Sequence, residues 1–124
     1  MLITDFEKFQ GQWRQVRFEE NGLIDPPDSH GADGAVMTIS GNGFHVAVPG
    51  GETLIEGNFV LHDLQSPKGI DWIDSMGEDA GKILPAVYRL SSNSFEFAAA
   101  DSGMARPVDF DGGRGITIRA FVRV

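Results

Sequence analysis

The sequence predicts an all-β fold, an eight-stranded antiparallel barrel with a short N-terminal helix, and three observations carry that prediction. Clusters of glycine, proline and asparagine cut the 124 residues into eight short apolar runs. Glycine, at 16 residues, is nearly twice as frequent as the average of about 7%, without periodicity, which points to many tight turns. Gly11-Gln12-Trp13 stands at the head of the first run. An eight-stranded barrel is about the smallest whose interior either fills with side chains or holds one small ligand.

Thr4-Asp5-Phe6-Glu7 has the form of a capping box, in which a hydroxyl and a carboxylate satisfy orphan amide donors, so a short helix is expected to open the chain. Phe6 and Phe9 share a helix face and suit a lid packed on one end of a barrel. Gln10-Gly11 ends the helix, and a first strand follows over 13–18, whose imperfect alternation suggests a bulge. Residues 19–34 are rich in turn formers and make the longest early connection, a candidate lid. Strands over 35–40 and 44–48 are joined through Gly41-Asn42-Gly43, where Asn-Gly suits the positive φ angles of a type I′ hairpin.

Pro49-Gly50-Gly51 leads into a strand over 53–61, with Ile55, Gly57, Phe59 and Leu61 on one face and Glu56 and Asn58 on the other. Gly57 in mid-strand predicts a bend. A short alternating strand over 70–74 stops at the polar turn 75–82. The next, over 83–90, has Pro85 near its start, which predicts a bulge or a locally open edge because proline donates nothing to a ladder. Ser91-Ser92-Asn93-Ser94 turns the chain into a strand over 95–99, and the last strand, 116–124, follows a long connection. Nothing marks a domain boundary, so 1–124 is expected to form one domain, of a size that buries about two-thirds of its unfolded surface.

Composition excludes several functions. Cysteine is absent, so disulfides and thiolate metal sites are excluded and a reducing, cytoplasmic location is favoured. Residues 1–7 carry acids and lack a basic segment before a long apolar one, so no signal peptide is expected. The apolar runs are far shorter than the roughly 20 residues of a membrane-spanning helix. A net charge of −8 argues against nucleic acid as a partner, because phosphate contacts need clustered Lys and Arg. Glu19, Glu20, Asp25, Asp28 and Asp33 fall in one stretch without a basic residue, a solvated acidic loop or a surface for a protein partner, whereas Arg114, Arg119 and Arg123 crowd the end.

Laid out in this order, the chain resembles an uncharacterised bacterial lipocalin-like domain family first noted as a repeated domain in planctomycete proteins. The resemblance spans almost the whole chain and rests on the succession of Gly11-Gln12-Trp13-Arg14-Gln15-Val16, Glu56-Gly57-Asn58-Phe59-Val60-Leu61, Gly69-Ile70-Asp71-Trp72, Gly81-Lys82-Ile83-Leu84 and Val87-Tyr88-Arg89-Leu90. It implies a lipocalin-type barrel and a family without an established activity, so it carries over no catalytic residues. It also implies that Trp13 closes the narrow end of the barrel. Trp72 and Arg89 depart from the family pattern, standing where an aliphatic residue and an acid are more common.

The candidate ligand-binding residues are Asp71, Tyr88, Arg119, Phe59 and Phe97. Asp71 lies between Ile70 and Trp72; if it points inward it needs a partner, which Tyr88 or Arg119 could supply, either as an internal lock or as ligand contacts. Tyr88, Phe59, Phe97 and Ala86 fall on one phase and either enclose a pocket or interdigitate into a dry core. His30, His45 and His62 lack the spacing of a local metal clamp. Asp109-Phe110-Asp111-Gly112 lacks the later ligands of a calcium loop and reads as a turn. No cofactor is expected. Three functions follow: a module holding a small apolar ligand; a structural or protein-interaction domain with a packed interior, working through the acidic loop or self-associating at an edge near Pro85; and a barrel enzyme using Asp71 as acid or base.

Overall fold

The computed structural model describes residues 4–25, 35–48, 50–51, 53–77 and 80–124. Among the described residues, helix α1 (Asp5–Phe9) precedes nine strands: β1 (Gly11–Glu20), β2 (Leu23–Asp25), β3 (Val36–Ser40), β4 (Gly43–Ala47), β5 (Thr53–His62), β6 (Gly69–Asp74), β7 (Ile83–Leu90), β8 (Ser94–Ala100) and β9 (Ile116–Arg123). Every neighbouring pair from β3 to β9 is antiparallel and consecutive in sequence. The first half of β1 pairs with β3, and β1 also pairs with β9 almost end to end. Eight strands therefore close into the predicted antiparallel barrel. The ninth, β2, folds back on the second half of β1.

The capping prediction holds: the Thr4 side chain accepts from the Glu7 backbone N–H at 3.2 Å. The bulge expected in the first strand occurs between Gln15 and Arg17, where the register against β9 shifts by one residue. It turns Phe18 to the same face as Arg119, which it opposes directly.

Two turns differ from expectation. Ser40 pairs with Gly43, so Gly41 and Asn42 are the central residues, and only Gly41, at φ 62°, has positive φ. That is the pattern of a II′ hairpin, with glycine in the first central position, and not the expected I′ turn. A turn with positive φ at both central residues occurs instead at Asn21 and Gly22, φ 53° and 84°, between the paired residues Glu20 and Leu23. The connection read as 19–34 thus begins as a hairpin. Asp28, His30 and Asp33, and the side chain of Asp25, lie outside what the structure describes.

Pro85 brings no bulge on the β6 side, where it opposes Asp71 in an unbroken register. On the other side the β7–β8 ladder begins only at Ala86, so the expected open edge is present there. At Gly57 the need is close approach: a Cβ there would overlap the Ile73 carbonyl oxygen of β6.

The core is the barrel interior, where Phe9, Trp13, Phe44, Phe59, Trp72, Tyr88, Phe95, Phe97 and Phe121 pack with Met37, Ile39, Ile70, Ala86 and Ala99. Outside it, Val87, Ala98 and Ile118 form a second cluster with Phe110 and Ile116. The connection from β8 to β9 lies over that outer face; Phe110 stacks under the Arg89 guanidinium at 3.8 Å.

Candidate functional site

One end of the barrel is a built floor. Trp13 is fully buried and donates its Nε1–H to the Phe9 carbonyl at 2.9 Å, which ties the first strand to the helix. Arg123, its cross-strand neighbour, lies 4.1 Å over the indole ring. The same guanidinium donates to the carbonyls of Ser92, Gln10 and Lys8 at 3.1, 2.9 and 2.7 Å. One side chain thus gathers the β7–β8 turn, the end of α1 and the start of β1. Phe9 meets Tyr88 and Phe95 edge-on at 5.2 and 5.1 Å between centroids, sealing the helix onto the interior.

Tyr88 belongs to this floor. Its hydroxyl donates to Asp5 Oδ2 at 2.6 Å, and Lys68 Nζ donates to the same oxygen at 2.9 Å. Burial, followed by the Asp5 hydrogen bond, pushes the phenol well above the ordinary tyrosine value. Burial works to raise Asp5, but Tyr88 and Lys68 outweigh it and hold that carboxyl below the usual carboxylate value. The pair expected between Asp71 and Tyr88 does not form, because the two residues lie on opposite faces of the wall.

Asp71 points outward. Ile70 and Trp72 take the inward phase of β6, so alternation turns the residue between them to the outside. There His62 Nε2 lies 2.8 Å from Asp71 Oδ2 and Arg106 Nη2 lies 2.6 Å from Asp71 Oδ1. Arg106 Nη1 also donates to the Ile70 and Ala86 carbonyls at 3.2 and 3.0 Å. The cluster fastens the β8–β9 connection to the wall. An acid or base role needed Asp71 inside a pocket with a raised pKa, and the structure gives the reverse. Burial tends to raise the carboxyl, yet the His62 hydrogen bond and Arg106 together hold it below its ordinary value.

That shift has a definite sign in stability. A depressed folded-state pKa stabilises the fold in full above the ordinary value of 3.8 and loses the contribution as pH falls through the lower folded value. Asp71→Asn is therefore expected to lower stability at neutral pH by about 1–3 kcal/mol and to shrink the loss on acidification. Urea unfolding at neutral and acid pH checks this; equal acid losses in both proteins would show that Asp71 carries none of it.

The other end of the barrel, the mouth, holds the remaining predicted residues. Arg119 is half-buried and points inward opposite Phe97 and Phe18. Its guanidinium lies 4.4 Å over the Phe18 ring, and Nη1 donates to Gln15 Oε1 at 2.6 Å. Burial lowers its pKa, while the charges of Glu20 and Asp74 pull it back up; arginine stays charged throughout. Phe97 packs at 4.9 Å on Trp72, and Phe59 packs between Trp72 and the helix rings. The structure therefore brings Arg119, Phe97 and Phe59 to one inner wall and takes Asp71 off it.

Trp72 is the residue that sequence reasoning missed as a site. It is only 4% exposed, at the centre of Phe44, Phe59 and Phe97, and its Nε1–H has no hydrogen-bond partner among the described residues. Its phase beside Ile70 was readable; its missing partner was not.

On the outer face of β3–β5 an open groove of about 530 Å³ is lined by residues including Thr38, Ser40, His45, Glu56, Asn58 and Ser75. His45 is already engaged with Thr53 Oγ1 at 2.7 Å, and no sequence-predicted site residue reaches the groove. Asp111 N donates to Asp109 Oδ1 at 3.1 Å, so that segment is the turn it was read to be. Among the described residues no group of three or more His, Asp or Glu is placed to hold a metal ion, and no helix is long and apolar enough to cross a membrane.

Comparison with known proteins found no match among protein-family models, curated proteins or solved structures.

Proposed function

We propose that this chain is a soluble lipocalin-like binding module, akin to the uncharacterised bacterial family its sequence resembles, that holds a small and mostly apolar molecule in the mouth half of the barrel. The observation that supports this is the apolar inner wall toward the mouth, whose side chains are not fully buried. Inward-facing Phe97 and Ala99 each keep 7% of their surface accessible. Val46, Ile55 and Leu84, inward on their strands and packed against the same core, are only partly buried. The lining there is apolar with a few convergent polar groups, the composition of a small-molecule site. Binding would bury that surface, with a gain of roughly 25 cal/mol per Å² offset by ordering and desolvation.

Thermal-shift screening with fatty acids, small aromatics and terpenoids is expected to raise the melting temperature with at least one class. Ala99→Phe, which fills the inner wall beside Ala86 and Thr117, is expected to cancel that rise, measured from the variant's own baseline. Silence from every class, or a rise that Ala99→Phe leaves untouched, would favour the packed structural domain instead.

A further inference from the structure

We propose that the molecule held in the mouth carries a carboxylate, which takes the unpartnered N–H groups of the Arg119 guanidinium while its apolar body lies against Phe97, Ala99 and Leu84. The inference rests on the binding reading above and names the chemical class of its ligand.

Arginine is rarely drawn out of water without partners, because its charge and its N–H donors lose hydration together. The strand register nevertheless fixes Arg119 on the inner wall, between Phe97 of β8 and Phe18 of β1. Its guanidinium lies 4.4 Å over the Phe18 ring, and Nη1 donates to Gln15 Oε1 at 2.6 Å. Nε and Nη2 have no hydrogen-bond partner among the described residues. Neither is among the buried polar atoms left without a partner, so solvent reaches both. The space they meet is the mouth, where inward-facing Val46, Ile55, Leu84 and Thr117, like Arg119 itself, all keep accessible surface. A positively charged fork with spare donors thus stands beside an apolar wall that solvent can enter.

The charges around it set the head group. Glu20 and Asp74 act on Arg119 from beyond ion-pair distance, and Asp74 has a further partner of its own. A carboxylate brought to the guanidinium makes direct contact, and the planar fork matches its two oxygens. Contact at hydrogen-bond distance outweighs repulsion from Glu20 and Asp74, which stand farther off and keep accessible surface where solvent screens them. An amine is repelled by the guanidinium, and a hydrocarbon displaces water from its donors without answering them.

Isothermal titration with octanoate, its methyl ester and octylamine tests this. Octanoate is expected to bind most tightly and the amine least. Arg119→Met keeps an unbranched side chain and removes the donors, and it is expected to lower the octanoate-to-ester affinity ratio about tenfold, the worth of a hydrogen bond to a charged group. Glu20→Gln removes the carboxylate that acts most strongly on Arg119, and it is expected to raise that ratio about twofold or more. Tighter binding of the ester or the amine by the wild-type protein, or a ratio that Arg119→Met leaves unchanged, overturns the carboxylate assignment while the binding module stands. Silence from all three probes, with a response to another class in the thermal screen, does the same. Silence throughout overturns both. The wild-type ranking and Glu20→Gln leave Arg119 in place, so a poorly folding Arg119→Met protein does not spare the proposal.

Discussion

Trp13→Ala is expected to lower the unfolding free energy by about 3–5 kcal/mol, the range for removing a fully buried large aromatic from a core. Three losses coincide at this position. The indole is completely buried and lies edge-on to Phe95 at 4.8 Å. Its Nε1–H ties Phe9 of the helix to the first strand. Its ring also lies under the Arg123 guanidinium, which holds three backbone carbonyls. Because Trp13 and Arg123 touch, their effects are not additive. A double-mutant cycle with Arg123→Ala is expected to show coupling of about 1 kcal/mol. Urea unfolding followed by circular dichroism measures all three proteins. A Trp13→Ala loss below about 1 kcal/mol would mean that the floor is held together without its central ring.

The strand plan was legible because turn chemistry is local. Gly41, Pro49-Gly50-Gly51 and the serine-rich 91–94 each interrupt an apolar run, and eight runs became eight barrel strands. The helix and the β1 bulge were legible for the same reason, since capping residues and broken alternation are written within a few positions. What escaped was short or ambiguous in phase. β2 is three residues long, below the length at which alternation speaks, although Asn21-Gly22 is itself a hairpin signal. The final strand alternates arginine and aromatic residues with Ile118, Ala120 and Val122, so neither phase looks polar. Its outer phase is apolar because the β8–β9 connection covers it through Phe110.

The candidate site was less legible than the fold, and the reason is long-range contact. Tyr88 was expected to pair with Asp71, but its partner is Asp5, 83 residues away on the helix, and no spacing rule reaches so far. Asp71 was considered inward through its possible partners, whereas the decisive evidence was phase: Ile70 and Trp72 claim the core, so Asp71 must leave it. Its real partners, His62 and Arg106, come from a neighbouring strand end and from a distant loop. Arg119 could be placed inward only once the β1 bulge had set Phe18 opposite it. The unanswered donor of Trp72 is a property of the packed interior alone.

Gly57→Ala is expected to cost at least about 3 kcal/mol, although a glycine in an ordinary strand costs stability relative to alanine. The backbone at Gly57 does not need glycine's positive φ; the need is steric. An added Cβ would overlap the Ile73 carbonyl oxygen and lie 2.9 Å from the Asp74 Cα, both backbone atoms of β6. No rotamer change relieves a clash between Cβ and backbone, so β5 and β6 must separate where Gly57 opposes Asp74. That separation would also shift the wall beside Trp72. Gly43→Ala is the control: its added Cβ would meet atoms no closer than 3.5 Å, and its φ is not positive, so a change within about 1 kcal/mol is expected. Urea unfolding of the two variants separates crowding from chain entropy. Equal, small effects at both positions would show that the strands part easily at Gly57, and the close approach would then lose its structural importance.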